Sequence, residues 1–364
     1  MNYNLREIFD NFITEGTFYS GQLIGNGHIH DTYKIETSEK DKDDYILQRL
    51  NNKVFKNIPE LQNNIERVTG HIRNKLLALP DSDIKRECLI LIRSLEGKNW
   101  IMDKEGNFWR MYIYITNHRT YNLVDTPDKA YEGGKAIGRF QAMLSDIPGP
   151  PLFETIPWFH NVEKRLETLK SKINENPVGR VIEAGMEISQ ILQRAENMSI
   201  ILKLGRNGEI PLRITHNDTK FNNILLDYND KALCIIDLDT VMPGYVHYDF
   251  GDAIRTVANT AAEDEINLEL INMDINLFKS YSEGYLSEIR ETLNKVEKDY
   301  LAFAPLLITY TIAVRFLTDY IDGDNYFKIH HENHNLQRTR SQLKLLTSME
   351  QQYDEMRRII SKLC

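Results

Sequence analysis

The stretch "LRITHNDTKFNNILLDYNDKALCIIDLDT", residues 212–240, is a β-like island in a part of the chain otherwise patterned as helix. Its runs "LRIT" (212–215), "NILLD" (223–227) and "ALCIID" (232–237) are short and apolar, with turn residues between them. The polar residues stand at the strand ends. His216-Asn217-Asp218 follows the first run, and Asn223 comes five residues after Asp218. Asp237 closes the last run, nineteen residues after Asp218. An isolated Asp or Asn between strands reads as a turn residue that bonds its own backbone. The pattern H-x-D-x-x-x-x-N, followed by an apolar strand ending in Asp, asks for more than turns.

Phosphoryl transfer from a nucleotide has matching needs. A carboxylate must orient the attacking hydroxyl and take its proton, and oxygen ligands must hold magnesium against the phosphates. Asp218 suits the first need, and Asn223 and Asp237 the second. The protein-kinase catalytic loop, H-R-D-x-x-x-x-N, has the same Asp-to-Asn interval. Lys220 is placed to meet a migrating phosphoryl group as a point charge. His216 reads as structural, its ring tying down the loop. A literal Asp249-Phe250-Gly251 occurs in "YVHYDFGDAIRT" (245–256), but twenty-six residues after Asn223 and with no strand leading into it. The metal aspartate of a D-F-G motif is therefore matched by Asp237, with Asp239 as a second ligand. Asp249 reads as a helix cap or as an acceptor for the backbone of the 216–223 loop.

Outward from the island, the chain divides by pattern. "TFYSGQLIG" (17–25), "HDTYKIET" (30–37), "DYILQRLN" (44–51) and "NFWRMYIYI" (107–115) predict strands, and residues 57–79 a helix. From 126 onward helical spacing dominates, over 126–144 and roughly 158–205, 263–321 and 333–362. We expect an α+β chain with a nucleotide-binding lobe over 1–115, a catalytic lobe over 116–364 and a hinge near 114–118.

"THNDTKFNNILLD", "IIDLDTVMPG" and "YDFGD" resemble the aminoglycoside-phosphotransferase-like kinases and, among them, the N-acetylhexosamine 1-kinases most. The likeness continues through "GNGHIHDTYKI", "YILQRLN", "WRMYIYI", "VRFLTDYIDGDNYF" and "HNLQRTRSQLKL". It implies a two-lobed protein-kinase-like fold with ATP in the cleft and Mg2+ on Asn223 and Asp237. It also implies Asp218 as base, with transfer to the C1 hydroxyl of GlcNAc or GalNAc.

Gly25 and Gly27 of "GNGHI" permit the close backbone approach of a phosphate-covering loop, and His28 is placed to donate to a phosphate. A bare G-x-G is more commonly a hairpin turn, and it is its place ahead of a kinase-like core that favours the phosphate loop. The lysine that protein kinases carry on the third strand is missing, and Gln48 stands in its place. Arg49 points to the other face, and Glu66, the candidate helix partner of such a lysine, reads as structural. The backbone around Tyr114, Ile115 and Thr116 is the expected edge for adenine. For the acceptor, Arg315 and Asp319 share a face of an apolar helix at i and i+4, an arrangement that also suits a plain salt bridge. The resemblance assigns Arg315 to sugar oxygens and Tyr326 to the sugar rim, with Arg255 a further candidate. Thr256 stands where the resembling kinases carry a larger aromatic, a change that would widen the pocket or alter its preference between hexosamines.

The bulk properties set limits. A net charge of −9 argues against a nucleic-acid surface, which needs a basic patch. Cys88, Cys234 and Cys364 are scattered and form no C-x-x-C pair, as suits a reduced cytoplasm. "MNYNLREIFDNF" has no apolar core of a signal peptide. "LAFAPLLITYTIAV" (301–314) predicts a buried helix, too short for a bilayer and interrupted by Pro305. We expect a monomer acting on a small molecule. Another sugar, an aminoglycoside or a choline-like amine remains open as acceptor, as does a nucleotide-binding pseudokinase.

Overall fold

The computed structural model describes residues 3–24 and 29–364. The expectations placed on Gly25, Gly27 and His28 fall outside the described residues. Helix α1 (Leu5–Phe9) precedes strands β1 (Phe18–Leu23), β2 (Asp31–Thr37) and β3 (Tyr45–Leu50). Then come α2 (Ile58–Leu77), the single turn α3 (Ile84–Glu87), β4 (Ile101–Met102) and β5 (Phe108–Ile113). The strands form one antiparallel sheet in the order β1-β2-β3-β5-β4.

Alternation along β3 and β5 gives the sheet two different faces. Tyr45, Leu47, Trp109 and Met111 pack against Ile8, Phe9 and Phe12 from the α1 side. On the other face, Tyr112 joins the core built by Leu61, Ile65, Val68 and Ile72 of α2. Gln48 and Arg110 share that second face as cross-strand neighbours. Helix α2 starts where Asn57 accepts the Glu60 N–H and Pro59 occupies the first turn.

The larger part holds α4 (Pro127–Leu144), α5 (Val162–Glu175), α6 (Gly185–Met198) and α7 (Ile200–Arg206). The island follows as two ribbons. β6 (Arg213–Thr215) is reached first, then β7 (Ile224–Leu226), β8 (Ala232–Ile235) and β9 (Met242–Gly244). β7 pairs with β8, while β6 pairs with β9, which sequence patterning did not anticipate. Three residues are too few to show alternation. Helices α8 (Val246–Val257), α9 (Ile275–Ile289), α10 (Lys295–Asp299), α11 (Ala304–Asp322), α12 (His334–Gln351) and α13 (Tyr353–Leu363) complete the chain.

Pro305 does not interrupt the apolar run; it sits in the first turn of α11, where its missing N–H costs nothing. Residues Leu301–Asp322 are long and apolar enough to cross a membrane, but 83% of the apolar window is buried within the protein. This is the central helix of the larger core. Helices α4 and α9 approach closely because glycine lines their contact. A Cβ at Gly134 would run into the Tyr281 carbonyl, and one at Gly284 into that of Tyr131. These are backbone atoms and cannot step aside. Gly134→Ala is therefore expected to cost ~1–3 kcal/mol in urea unfolding. An unchanged midpoint would show that the helices can separate freely.

Candidate active site

The island presents its polar residues at the junction of the two parts. Asn217 adopts a left-handed backbone (φ 65°), which an asparagine tolerates, and turns the chain toward Asp218. Its side chain donates to the carbonyls of Thr215 and Thr240 at 3.1 and 2.9 Å. The His216 ring accepts the Asp218 N–H on Nδ1 at 3.3 Å and donates from Nε2 to the Ile236 carbonyl at 2.9 Å. It thus joins the 216–218 loop to the residue before Asp237 and is structural. Asn223 donates from Nδ2 to the Asp218 carbonyl at 2.9 Å, which leaves its side-chain oxygen for another partner. Asp249 is fully buried, and its carboxylate accepts the N–H groups of His216 (2.8 Å) and Asn217 (2.6 Å) and the Gln141 amide (2.7 Å). Of its two expected roles the structure shows the second, as acceptor for the loop backbone.

Asp218 is half-buried, with its carboxylate 3.6 Å from Lys220 Nζ. That carboxylate is the main reason the Lys220 ammonium is raised above its ordinary value. Asp237 also has a left-handed backbone (φ 61°) and is exposed at the strand end. Enclosure within the cleft, then the carboxylates of Asp239 and Asp218, push its carboxyl up to about 7. A bound cation would favour the ionised form of this carboxylate.

Asp239 departs from expectation. It is buried, and Arg110 grips both its oxygens, Nη1 to Oδ1 at 2.6 Å and Nη2 to Oδ2 at 2.5 Å. His30 Nε2 lies 3.3 Å from Oδ2. Burial opposes ionisation of Asp239, but Arg110 and His30 outweigh it and hold the carboxyl well below the usual range. The ion pair gives Asp239 a structural engagement in place of the expected second metal position. Gln48, expected to face nucleotide, accepts from Arg110 Nε at 2.9 Å and donates to Thr32 Oγ1 at 3.0 Å. Glu66 pairs with Arg93 and accepts from Asn99, so it takes no part in the cleft. At the hinge, the Tyr114 N–H is bonded to Asp44 at 2.8 Å, and the buried Ile115 carries His118 Nδ1 on its carbonyl at 2.6 Å. Two of the groups expected to meet adenine thus have protein partners.

Beside Asp218 opens a cavity of about 190 Å³, lined among others by Lys220, Asp252, Arg255, Glu263, Arg315 and Tyr326. The alternative of a plain Arg315–Asp319 salt bridge is not what forms. Asp319 instead accepts the N–H groups of Asn325, Tyr326 and Phe327 at 2.8–2.9 Å and holds the loop after α11. Arg315 lies over the rings of Phe159 (4.8 Å), Phe327 (5.4 Å) and Tyr326 (5.7 Å) and has no carboxylate partner among the described residues. Tyr326, 55% exposed, stands at the rim with its hydroxyl 3.5 Å from Arg315 Nη2. Arg255 is a correction. Its buried guanidinium is spent on Asp252 (2.8 and 3.0 Å) and Glu263 (2.5 Å), so it braces the wall instead of reaching an acceptor. Thr256 bonds back to its own helix and does not line the cavity.

Sequence reading passed over His160 and Arg110. His160 is buried, lines the cavity and donates from Nε2 to the Asn217 carbonyl at 2.8 Å. Burial brings its imidazole down to about 3, so it is neutral. Arg110 carried one clue, a lone charge in the strand "FWRMYI".

The model of the phosphotransferase enzyme family matches residues 20–282. The chain belongs to that family. Solved structures share this phosphotransferase's fold at low identity. An aminoglycoside phosphotransferase from Alicyclobacillus acidocaldarius superposes with a TM-score of 0.61 at 10% identity, covering 98% of each chain. A spectinomycin phosphotransferase in complex with ADP and spectinomycin gives 0.58 at 14%, covering 95% of this chain and 98% of that one. An amicoumacin kinase in complex with AMP-PNP and Ca2+ gives 0.59 at 12%, covering 94% and 93%. The phosphotransferase therefore has the two-part, kinase-like fold of aminoglycoside phosphotransferases, with a small antiparallel sheet and a larger helical part.

Proposed function

We propose that this phosphotransferase moves the γ-phosphoryl group of Mg-ATP to the C1 hydroxyl of an N-acetylhexosamine, GlcNAc or GalNAc, giving the sugar 1-phosphate and ADP. Nucleotide use is supported by the family and by the ADP and AMP-PNP bound to structures of the same fold. The acceptor class rests on one observation: the cavity beside Asp218 offers a cation without a counter-ion. Its carboxylates at Asp252 and Glu263 are both ion-paired with Arg255, and Lys220 and Arg338 stand near Glu263 as well. A polycationic aminoglycoside or a choline-like amine meets carboxylates that each have a basic partner, Asp218 with Lys220 and Asp252 and Glu263 with Arg255, and meets Arg315. A neutral sugar finds in Arg315 a planar donor for hydroxyl or acetamide oxygens. The sequence likeness to hexosamine 1-kinases points the same way. The three cysteines are free, in keeping with a cytoplasmic enzyme, and we propose that it acts as a monomer.

In this reading Asp218 orients the C1 hydroxyl and takes its proton as oxygen attacks the γ-phosphorus and the bond to ADP breaks. The hydroxyl of a reducing sugar is more acidic than an ordinary alcohol, so the base needs little tuning. Lys220, held protonated by Asp218, faces the charge on the transferring group. The residues fit a magnesium ion: the Asp237 carboxylate and the free side-chain oxygen of Asn223 would hold it. When bound, it neutralises phosphate charge. Among the described residues no group of three or more His, Cys, Asp or Glu side chains forms a metal cage. Magnesium held mainly by phosphates and one or two protein oxygens needs none.

The test is a panel of sugars and amines with Mg-ATP, read by ADP release and by phosphorus NMR. An anomeric phosphate from GlcNAc or GalNAc is the expected product. Turnover only with amines sinks the reading, and nucleotide binding without turnover of any acceptor favours a pseudokinase. Arg315→Ala is expected to raise the sugar KM about ten- to a hundredfold, the worth of a charged hydrogen bond. ADP affinity should not move.

A further inference from the structure

We propose that Arg110, on strand β5, takes over the task of the absent third-strand lysine, and does so by positioning rather than by touching the phosphates. The inference rests on the nucleotide half of the reading above and not on the acceptor.

Asp239 is a hub. Its carboxylate is fixed by Arg110 and approached by His30, and its backbone carbonyl accepts the Thr155 hydroxyl at 2.8 Å. The next residue, Thr240, donates from its hydroxyl to the His216 carbonyl at 2.7 Å, and its own carbonyl accepts from Asn217 at 2.9 Å. Two residues before the hub stands Asp237. Arg110 therefore ties the small sheet at once to the metal aspartate and to the loop that carries Asp218. His30 adds a tie from the end of the segment joining β1 to β2, and its Nδ1 accepts the Asn51 N–H at 3.0 Å.

This arrangement also explains Gln48. Residues 48 and 110 are directly opposed on β3 and β5, on one face of the sheet. A lysine at 48 would set a second cation against the buried guanidinium. Glutamine instead offers its carbonyl oxygen to Arg110 Nε and its amide to Thr32. The third-strand lysine is missing because the positive charge has moved one strand over. There it is a planar fork that fits a carboxylate at two points, which an ammonium cannot do.

Three variants test this: Arg110→Lys, Arg110→Gln and Gln48→Lys/Arg110→Gln. Each is assayed for kcat, for melting temperature, and for calorimetric affinity toward ADP with and without Mn2+. Arg110→Gln is expected to lower kcat about a hundredfold through misplacement of the reacting groups. It should weaken Mn2+-dependent ADP binding while leaving metal-free ADP affinity unchanged. The double variant, with its cation returned to β3, should recover at least about tenfold in kcat. Should Arg110→Gln not fold, Arg110→Lys decides the matter: it keeps the charge, loses the two-point grip, and should still show the selective loss with Mn2+. A folded Arg110 variant with wild-type kcat and Mn2+-ADP affinity, lower only in melting temperature, overturns the proposal. So does an equal loss of metal-free ADP affinity, which would place Arg110 on the phosphates. If the wild-type protein binds no nucleotide, the reading of ATP as donor fails instead.

Discussion

Asp218→Asn is expected to reduce turnover by about a thousandfold, within the range for loss of a positioned general base. ADP affinity and melting temperature should stay near wild type. The substitution removes charge and basicity but little shape. The bonds that place this residue go to its backbone: His216 accepts its N–H, and Asn223 donates to its carbonyl. The Asn217 turn before it is held by Asp249, Thr215 and Thr240. None of these contacts needs the Asp218 carboxylate, so the loop should persist with an amide in place of the acid. Steady-state kinetics with Mg-ATP and the best acceptor, beside calorimetry with ADP, separates chemistry from binding. Turnover near wild type would remove Asp218 as base, and the proposed mechanism with it.

The loop around Asp218 was legible because its determinants are local. Base, turn and Asn223 lie within eight residues, and the apolar run leading to Asp237 reads as a strand by composition alone. The sheet was legible for a similar reason: β3 and β5 are long enough for their alternation to show. Long-range pairing was not. Arg110 meets a carboxylate 129 positions further along, and nothing in "FWRMYI" names that partner. Asp237 and Asp239 look interchangeable in "DLD". Only the folded chain sends one into the cleft and the other into a buried ion pair. Helical spacing alone left Arg315 and Asp319 open between a salt bridge and separate roles, since i and i+4 brings two side chains to one face without saying what else competes for them. Three backbone N–H groups of the following loop won Asp319 and left the arginine to the cavity. Arg255 shows the reverse, a charge that looked available and is consumed by Asp252 and Glu263.

Asp249→Ala should be the most destabilising substitution in the catalytic region, and its pattern of effects bears on which aspartate faces the metal. The carboxylate is fully buried and accepts three hydrogen bonds, two from the backbone of the 216–217 turn and one from Gln141. Its own carbonyl also accepts the Thr219 hydroxyl at 2.7 Å, so helix α8 and the base loop are sewn together here. Alanine would strand buried donors that water does not reach, each costing ~1–3 kcal/mol, and a total of about 3–5 kcal/mol is expected in urea unfolding. Asp249→Asn, which keeps one acceptor oxygen, should lose less. Turnover should fall as the loop loosens, but Mn2+-dependent ADP binding by the folded protein should hold within about twofold, since the Asp249 carboxylate bonds the 216–217 turn and Gln141 and touches neither Asp237 nor Asn223. The opposite pattern, wild-type stability with a selective loss of metal-dependent binding, would make Asp249-Phe250-Gly251 a true metal motif and displace Asp237. The geometry argues against that outcome. The Asp249 carboxylate is enclosed by the groups it bonds, whereas Asp237 stands exposed just past the end of β8.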